Sequence, residues 1–401
     1  MNIPSLRDLD LQGKTVLLRA DLNVPAQRAK VTDTTRIDRL KPTIDYLVEH
    51  GAKTLILSHF GRPEGEQNPD MSLAFLLAPL KESWGHDVRF ARDCVGEHAE
   101  TLADSLSDGE VGLLENVRFH KGEKSNDIAF VKQLAALGDI FVNDAFSAAH
   151  RSHASTEGLA HVLPAAAGLL MEEELNALDA ALGSPQKPVA AVAGGSKISS
   201  KISVLKNLAA KVDYLILGGG MANTFLYAGG ANIGSSLCEK DMKDTANDIT
   251  AFAKENGCEI VLPVDCVCAA ELSQNAPSET FDAQNIPDGQ SAIDVGEKSI
   301  ERITSLLADC KTIVWNGPLG VFEVKPFDAG TNALAQAVAD MTKAGSLVSI
   351  AGGGDTVAAL ENAGTVDDFT YISSAGGAFL EWLEGKTLPG VAALENSKQA
   401  A

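Results

Sequence analysis

The 401-residue chain has few cysteines, and their spacing excludes two structural roles. Six cysteines, at positions 94, 238, 258, 266, 268 and 310, form no disulfide framework in a chain of this length. Cys266 and Cys268 have a single residue between them, which is too close for the usual zinc spacing. The sequence therefore predicts free thiols, which fit a reducing compartment.

The chain also has a shortage of basic residues. It carries 54 acidic against 33 basic residues, a formal net charge of −21, and this excludes a broad surface for nucleic acid or anionic membranes. The first ten residues include Pro4, Arg7, Asp8 and Asp10, without the apolar stretch of a signal peptide. We therefore expect a cytoplasmic protein.

The common nucleotide-binding motifs are missing. Two Gly-Lys-Thr triplets, beginning at Gly13 and Gly385, have Asp8 and Leu380 where a P-loop needs its first glycine. The dinucleotide pattern G-x-G-x-x-G fails after both Gly218 and Gly352, and no HExxH, GxSxG or EF-hand loop occurs. These absences argue against an NAD enzyme and against a Walker-type NTPase.

Short apolar runs alternate with amphipathic stretches along the whole chain, which is longer than the roughly 250–300 residues that one core organises. The predicted strands are Thr15–Leu22, Lys53–Phe60, Val111–Phe119, Asp139–Phe146, Val189–Ala193, Val212–Leu217, Glu259–Val267, Thr312–Trp315, Leu347–Ala351 and Phe369–Ser373. The predicted helices include Arg36–His50, Ala129–Leu137, Ser199–Ala210 and Asp355–Glu361. This pattern predicts an α/β fold with two doubly wound parallel-sheet (Rossmann-like) domains joined by a hinge helix.

The domain boundary is predicted at an acidic helical segment, Met171–Leu182, which ends in Gly183-Ser184-Pro185. We expect a first domain over residues 1–170, a hinge over 171–187 and a second domain over 188–387. Ten of the eleven arginines, and all eight histidines, lie at or before His161. Because guanidinium groups match carboxylate and phosphate oxygens, this distribution indicates an anion site in the first domain, although drift in Lys/Arg usage explains it equally well.

Polar residues follow the first two predicted strands. Arg19, Asp21 and Asn23 alternate, and a buried Arg19–Asp21 pair would explain part of that pattern. The second strand ends in Ser58-His59-Phe60-Gly61-Arg62-Pro63, which is either a plain surface turn or part of a ligand site.

Arginines also follow two further predicted strands and begin one predicted helix. Arg118 and Arg151 follow two further strands, and Arg36 begins a helix. Ligands of open α/β sheets bind beyond the carboxyl ends of the strands, so we expect these three arginines, Arg62 and His59 to converge. Since guanidinium groups repel one another, convergence makes sense only around a ligand with several negative charges.

Glycine turns that lead into helices mark the second domain. Gly194-Gly195-Ser196 precedes Lys197 and Lys201, which are four residues apart on one face of the predicted helix. Two cations near a helix N-terminus oppose the macrodipole and each other, and a bound phosphate would reverse that effect. Two solvated lysines are the alternative.

A second such turn is Gly352-Gly353-Gly354, followed by Asp355 and Thr356. Asp355 is either a simple N-cap or a group that serves a nucleotide or its metal. Further glycine-containing segments complete the rim of this predicted site, at Gly218–Gly220, Asn316–Glu323 and Ser373–Gly377.

Seven of these motifs, in order, resemble those of the phosphoglycerate kinase family across nearly the whole chain. They are Arg19–Pro25, Ser58–Pro63, Glu115–Phe119, Asp144–Ser155, Gly194–Lys201, Trp315–Glu323 and Gly352–Thr356. The family's enzymes transfer a phosphoryl group between 1,3-bisphosphoglycerate and MgADP, giving 3-phosphoglycerate and MgATP in glycolysis, and are typically two-domain monomers. The resemblance therefore implies these substrates, Mg²⁺ with the nucleotide, and no nucleic-acid or membrane partner.

The resemblance also implies individual roles. The phosphoglycerate-binding positions would be Asp21, Asn23, Arg36, His59, Phe60, Gly61, Arg62, Arg118 and Arg151. The nucleotide-binding positions would be Lys197, Lys201, Asn316, Glu323, Gly353, Gly354, Asp355 and Thr356, with Asp355 near the magnesium. Arg36 and Lys197 are the expected catalytic residues, and residues 388–401 would pack on the first domain.

One motif departs from the family. Where the family commonly reads Ser-Thr-Gly-Gly-Gly, this chain has Ser373-Ser374-Ala375-Gly376-Gly377. The methyl group of Ala375 is tolerable if its φ is negative.

The expected chemistry needs no general base, because ADP phosphate oxygens and a carboxylate are both ionised at pH 7. Catalysis then depends on alignment and charge neutralisation, completed when the two domains close and exclude water. Two alternatives are a non-catalytic anion-binding protein and a kinase for another small metabolite. The first leaves the glycine–lysine turns unexplained.

Overall fold

The computed structural model describes residues 3–397, which form two compact units. The first unit contains residues 3–176 and 387–397, and the second contains residues 177–386. Within residues 3–397, none of the helices combines the length and the apolar character that a bilayer span requires.

The first unit is built on a six-stranded parallel sheet. Strands β1–β8 are Thr15–Arg19, Ala26–Gln27, Lys30–Val31, Lys53–Leu57, Val88–Phe90, Val111–Leu113, Ile140–Asn143 and Ala165–Ala167. Six of them pair in the order β5-β6-β4-β1-β7-β8, while β2 and β3 form a small antiparallel pair. The chain moves from β1 to β4 on one side and returns to β7 on the other, so the direction of winding reverses at β1.

Helices connect these strands and bury one face each. Helices α1–α7 are Thr35–Asp38, Lys41–Glu49, Leu77–Trp84, Glu97–Ser105, Lys121–Lys124, Ile128–Ala135 and Leu169–Leu178. In α2 the buried residues are Thr43, Ile44 and Leu47, the spacing of one helical face. The boundary between the two units lies within α7, between Asn176 and Ala177.

The second unit is built on another six-stranded parallel sheet. Strands β9–β19 are Val189–Ala193, Tyr214–Leu217, Asn232–Ile233, Glu259–Val261, Asp265–Ala269, Glu279–Asp282, Asn285–Ile286, Ser291–Val295, Thr312–Asn316, Val348–Gly352 and Tyr371–Ser373. The large sheet has the order β12-β10-β9-β17-β18-β19. Counted along the chain this is 3-2-1-4-5-6, the order of dinucleotide-binding folds, whose ligands bind where the order reverses.

Helices of the second unit, α8–α14, are Ile202–Ala209, Gly219–Ala228, Lys243–Glu255, Glu297–Leu307, Ala329–Lys343, Gly354–Ala363 and Gly376–Leu383. The remaining strands form the antiparallel sheet β14-β13-β16 and the parallel pair β11-β15. The predicted α/β class with two parallel sheets is confirmed.

The C-terminal helix α15, Pro389–Glu395, belongs to the first unit. Gly390 N donates a hydrogen bond to Ala149 O (2.8 Å), and Ser397 Oγ donates to Ala165 O (3.1 Å). The part of the predicted tail from residue 398 to 401 lies outside the described residues.

Four predicted strands end earlier than expected, at Arg19, Leu57, Leu113 and Asn143, because loops or 3-10 helices begin beyond these residues.

Two further predicted elements are each divided in the structure, and proline accounts for both. The predicted strand Glu259–Val267 is two strands of different sheets, β12 and β13, separated by Pro263. The predicted helix Arg36–His50 is two helices, α1 and α2, because Pro42 lacks the N–H that would continue the first one. Strand β8 is the alanine triplet 165–167, which lacks the β-branched residues by which strands are recognised in a sequence.

Gly194→Ala is predicted to destabilise the second unit. A Cβ at this position would lie 1.8 Å from the carbonyl oxygen of Pro318, so backbone would have to move at a cost of about 1–3 kcal/mol or more. Gly376→Ala is the matched control, because nothing lies within 4 Å of its Cβ. Calorimetric unfolding should show a lower midpoint only for Gly194→Ala, and equal midpoints for the two variants would refute the close approach.

Candidate active site

The carboxyl edge of the first sheet holds a buried ionic network around Arg19. This residue ends β1, is 1% exposed, and stands in register with Leu57 of β4 and Asn143 of β7. Its Nε donates to Ser155 Oγ (2.9 Å), and Ser155 donates its hydroxyl (2.7 Å) and its backbone N–H (2.9 Å) to the Glu123 carboxylate. Burial lowers the pKa of Arg19, and the charge of Glu123 opposes that shift. The network therefore fixes a guanidinium inside the sheet edge.

The predicted partner of Arg19 is wrong. Asp21 forms its ion pair with Arg36 instead (Nη1 to Oδ2, 2.7 Å) and also accepts a hydrogen bond from the Ser147 hydroxyl. The reason is that β1 ends at Arg19, so the alternation of faces does not continue to Asp21.

Arg36 is joined to Arg118 by hydrogen bonds through Asn23 and Gly61. Arg36 Nη1 donates to Asn23 O (2.9 Å), Asn23 Oδ1 accepts from Gly61 N (2.9 Å), and Gly61 O accepts from Arg118 Nη1 (2.8 Å). Loops after β1, β4 and β6 thus hold one another, and they bring four of the predicted residues into one hydrogen-bonded series.

His59 is the buried imidazole of this edge. Its Nδ1 accepts from Arg19 Nη2 (2.9 Å), because a guanidinium can only donate. Burial, together with the charges of Arg19, Arg118 and Arg151, lowers its pKa well below the usual range. His59 is therefore neutral, with its proton on Nε2, where it is a hydrogen-bond donor.

Several guanidinium groups lie close enough to His59 and to one another to lower pKa values, although Arg36 is not among them. Burial, then the charges of Arg19 and Arg151, lowers the pKa of Arg118 to about 10, and Arg62 adds a smaller effect in the same direction. Arg118 is 5% exposed, and among residues 3–397 its buried Nε has no hydrogen-bond partner. Arg62 and Arg151 are exposed. An anion with several charges would neutralise this repulsion and supply the missing acceptor.

Phe60 adds an apolar wall next to these groups. Its ring lies edge-on to Phe75, with centroids 4.9 Å apart, and the side chain is half-buried.

Lys201 joins three strands of the second sheet at the point where the strand order reverses. Its Nζ donates to Gly194 O (2.9 Å), which follows β9, and to Asn316 Oδ1 (2.7 Å), at the end of β17. Asn316 in turn donates its amide to Gly352 O (2.8 Å) at the end of β18. Burial lowers the pKa of Lys201 to about 8, against the opposing charge of Asp355.

Two glycines are required at this edge for different reasons. Gly194 N donates to Asn316 O (2.9 Å), and the close approach of the two loops leaves no room for a side chain. Gly353 has φ +99°, and a Cβ there would lie 2.6 Å from the Asn316 amide nitrogen. Gly353 is partly exposed, so its backbone is open to whatever binds at the edge, whereas Gly194 is buried and serves the packing of the two loops.

Helix α13 begins beside Lys201. Its first residue is Gly354, Asp355 is exposed, and Thr356 Oγ1 accepts a hydrogen bond from Gly317 N (2.7 Å). The free N–H groups of this helix start, the macrodipole and Lys201 together favour an anion.

Lys197 and Glu323 are not joined to this group by any hydrogen bond or ion pair among the described residues. Both are exposed. The prediction that Lys197 and Lys201 lie on one helical face is wrong, because α8 begins only at Ile202 and both lysines precede it. The turn carrying Lys197 is held by Glu239, which accepts from the Ser199 hydroxyl (2.6 Å) and backbone N–H (3.0 Å).

Ala375 has the negative φ that its methyl group requires. Its φ is −104°, so the methyl group causes no backbone strain, and the residue is buried immediately before α14.

Several residues of these edges escaped prediction. Ser147 donates to Asp21, Glu123 holds Ser155, and Glu239 holds Ser199 from a distant part of the chain. No spacing rule indicates these contacts. Ser155 stands within the quoted motif 144–155, but its role as the bridge between Arg19 and Glu123 is visible only in the structure.

Comparison with known proteins gives a uniform result. The family model described as phosphoglycerate kinase matches residues 6–386. The phosphoglycerate kinase of Rhizobium meliloti (strain 1021) is 58% identical over 392 residues, covering 98% of each chain. That of Ruegeria sp. (strain TM1040) is 55% identical over 395 residues, covering 98% of this chain and 100% of its own.

Solved structures agree. Phosphoglycerate kinase from Coxiella burnetii superimposes with a TM-score of 0.93 at 45% identity, covering 99% of this chain and 100% of that chain. The enzyme from Pyrococcus horikoshii OT3 gives a TM-score of 0.79 at 32% identity, covering 98% of both chains. From the matched motifs, the two parallel sheets and these similarities, the chain belongs to the phosphoglycerate kinase family.

Proposed function

We propose that this protein transfers a phosphoryl group reversibly between 1,3-bisphosphoglycerate and MgADP, giving 3-phosphoglycerate and MgATP in glycolysis and gluconeogenesis. The observation that carries the proposal in this chain is the buried Arg118 guanidinium, which has an unpaired Nε and stands among other arginines. Buried polar groups in proteins are nearly always paired, so a ligand with anionic oxygens is the natural partner.

In this proposal the first unit holds the phosphoglycerate. Arg62, Arg118 and Arg151 bind its charged oxygens, His59 donates from Nε2, and Asn23 is held by its contact with Gly61 N. Asp21 orients Arg36 through their ion pair. Phe60 and Gly61 supply the apolar wall and the backbone of the same loop.

The second unit holds the nucleotide. Lys201, Asn316, Gly353, Gly354 and Thr356 form the phosphate-binding edge, supported by the hydrogen bonds of Lys201 and Asn316 across β9, β17 and β18. Lys197 and Glu323 are exposed and free to reach a bound nucleotide. Asp355 suits the Mg²⁺ that accompanies the substrate, because magnesium is usually held by one or two carboxylates together with substrate phosphates. The ion supplies charge neutralisation to those phosphates.

The chemical step needs positive charge at the right place rather than a base. The transition state spreads negative charge over three oxygens of the transferred group, and both possible nucleophiles are already anionic. We assign Arg36 and Lys197 to that charge, while Arg118 and Lys201 bind the anionic groups of the two substrates before the transfer. Separation of these roles predicts that the first pair affects turnover and the second pair affects binding.

The protein works in this proposal as a cytoplasmic monomer that bends around residues 171–187 during the reaction. An acyl phosphate must be kept from water, so the acceptor and the nucleotide should meet only when both are bound. The six free cysteines, five of them buried, fit a reducing compartment.

A coupled assay tests the proposed function. The protein is given MgATP with 3-phosphoglycerate, and in parallel with other carboxylates that form acyl phosphates, such as acetate and aspartate. We expect ADP formation with 3-phosphoglycerate only. Faster turnover of another carboxylate would favour a different metabolite kinase, and binding without turnover would favour a non-catalytic anion receptor.

Arg36→Ala and Lys197→Ala are predicted to lower kcat by about 10²–10³-fold, the usual effect of removing one charge-stabilising donor. Substrate Kd values from calorimetry should change much less, since the main role proposed for both residues is to stabilise the charge of the transition state. Arg89→Ala and Lys206→Ala are matched controls. Arg89 contacts Ser105, and Lys206 is exposed on α8, so neither side chain contacts any described residue of the candidate site and both variants should keep the wild-type kcat. An unchanged kcat in either test variant would reject the role of that residue.

Affinity for MgADP is predicted to fall as the pH rises above about 8. Burial lowers the pKa of Lys201 to about 8, so the free protein loses this charge above that pH and must take up a proton to bind an anion. The loss should approach about tenfold per pH unit. Calorimetric titrations from pH 7 to 9.5 should show this slope in the wild type and a weak, flat profile in Lys201→Met. Identical slopes in the two proteins would contradict the assignment.

A further inference from the structure

Three side chains with metal-ligating atoms meet at the end of β5, outside the groups assigned above. They are Asp93, Cys94 and His120, hereafter the Asp93–Cys94–His120 cluster. One carboxylate oxygen, the thiol sulfur and one imidazole nitrogen all lie within 4.8 Å of one another. Among the residues that the structure describes, this is the group of three or more His, Cys, Asp or Glu side chains whose ligand atoms all lie within that distance.

The chain holds these three residues by independent contacts. The Asp93 carboxylate accepts from Cys94 N (2.7 Å), which fixes its direction. The His120 ring stacks on Phe130, with centroids 5.1 Å apart, and its Nε2 is 2.7 Å from Asp93 Oδ1. The Asp93 carboxylate and the His120 ring are therefore held close together before any ion arrives, which lowers the cost of binding.

The donor set specifies the kind of cation. Thiolate, imidazole and carboxylate together suit zinc and similar thiophilic divalent ions, whereas magnesium and calcium select oxygen atoms alone. A tetrahedral zinc with bonds of about 2.0–2.3 Å keeps its ligand atoms roughly 3.3–3.8 Å apart, so side chains whose atoms now lie within 4.8 Å of one another have to rotate toward the ion.

The surroundings also favour a cation. Burial of the Cys94 thiol disfavours a charged sulfur, while Asp93, Glu123 and Glu115 place negative charge near it, which attracts a cation. Cys94 is fully buried, while the side chains of His120 and Asp93 are 29% and 27% exposed. The partly exposed pair gives an ion a route in, and the buried thiol closes the inner side of the site.

We propose that the Asp93–Cys94–His120 cluster binds one thiophilic divalent cation of the zinc class, with a water molecule as fourth ligand. On binding, the hydrogen bond between His120 Nε2 and Asp93 Oδ1 opens, the Nε2 proton passes to solvent and Nδ1 takes up a proton, so that a neutral imidazole ligates through Nε2. The thiol proton passes to solvent as the sulfur–metal bond forms. No oxidant or reductant is required.

The cluster is close in sequence to two residues of the edge of the first sheet, Arg118 and Glu123. His120 follows the short 3-10 helix Val117–Phe119 that carries Arg118, and it directly precedes α5, which carries Glu123. An ion held by His120 would therefore stiffen the segment that positions both groups. The proposal itself does not depend on the reaction that the protein catalyses.

Metal titration of the full chain tests the site. Protein stripped with a chelator is titrated with Zn²⁺ alone against a competing chelating dye, and in parallel with Co²⁺ as a spectroscopic probe. We expect one tight Zn²⁺ per wild-type chain and a thiolate-to-cobalt charge-transfer band. Cys94→Ser, Asp93→Asn and His120→Gln should each weaken Zn²⁺ binding at least tenfold, and Cys94→Ser should abolish the charge-transfer band.

A matched control comes from a similar pair elsewhere in the first unit. His86 Nε2 lies 3.0 Å from Asp45 Oδ1 and belongs to no three-residue group of this kind, so His86→Gln should bind Zn²⁺ as the wild type does. Circular dichroism and thermal unfolding without metal show that each variant is folded. Absence of tight Zn²⁺ binding to the wild type, or equal affinity in wild type, His120→Gln and Cys94→Ser, would overturn the proposal.

Discussion

Parallel pairing of buried strands is the constraint on which both edges of the candidate site depend. Each large sheet has six parallel strands, so their carboxyl ends face one edge and their interiors are filled by apolar side chains. The buried guanidinium of Arg19 and the buried amide of Asn316 lie where their strands end. The chemistry of each unit is concentrated there because the sheet excludes it elsewhere.

The two edges stabilise buried charge in different ways. The first uses a side-chain network, in which Glu123 and Ser155 balance the guanidinium of Arg19. The second uses backbone and amide oxygens, since Lys201 donates to Gly194 O and to Asn316 Oδ1. A buried carboxylate close to the first edge fits a site with a surplus of arginines, whereas the second edge relies on one lysine and a helix start.

Sequence reasoning predicted the residues at both edges better than it predicted their partners. Motif position identified Arg36, Arg118 and Lys201, because the ends of parallel strands share an edge whatever their order. It gave the wrong partner for Asp21, since alternation indicates a shared face only while the strand continues. Glu123 could not be predicted, because its contacts with Ser155 join segments that only the fold brings together. The strand break at Pro263 was missed for a simpler reason, as the flanking residues are apolar on both sides.

The central claim is that the two edges bind different anions independently. Calorimetric titration of 3-phosphoglycerate and of MgADP, each alone, into Arg118→Met and Lys201→Met tests it most directly. The account predicts that Arg118→Met loses at least tenfold in affinity for 3-phosphoglycerate and keeps its affinity for MgADP, while Lys201→Met shows the reverse. Loss of both affinities in one folded variant, or of neither in both, would contradict it.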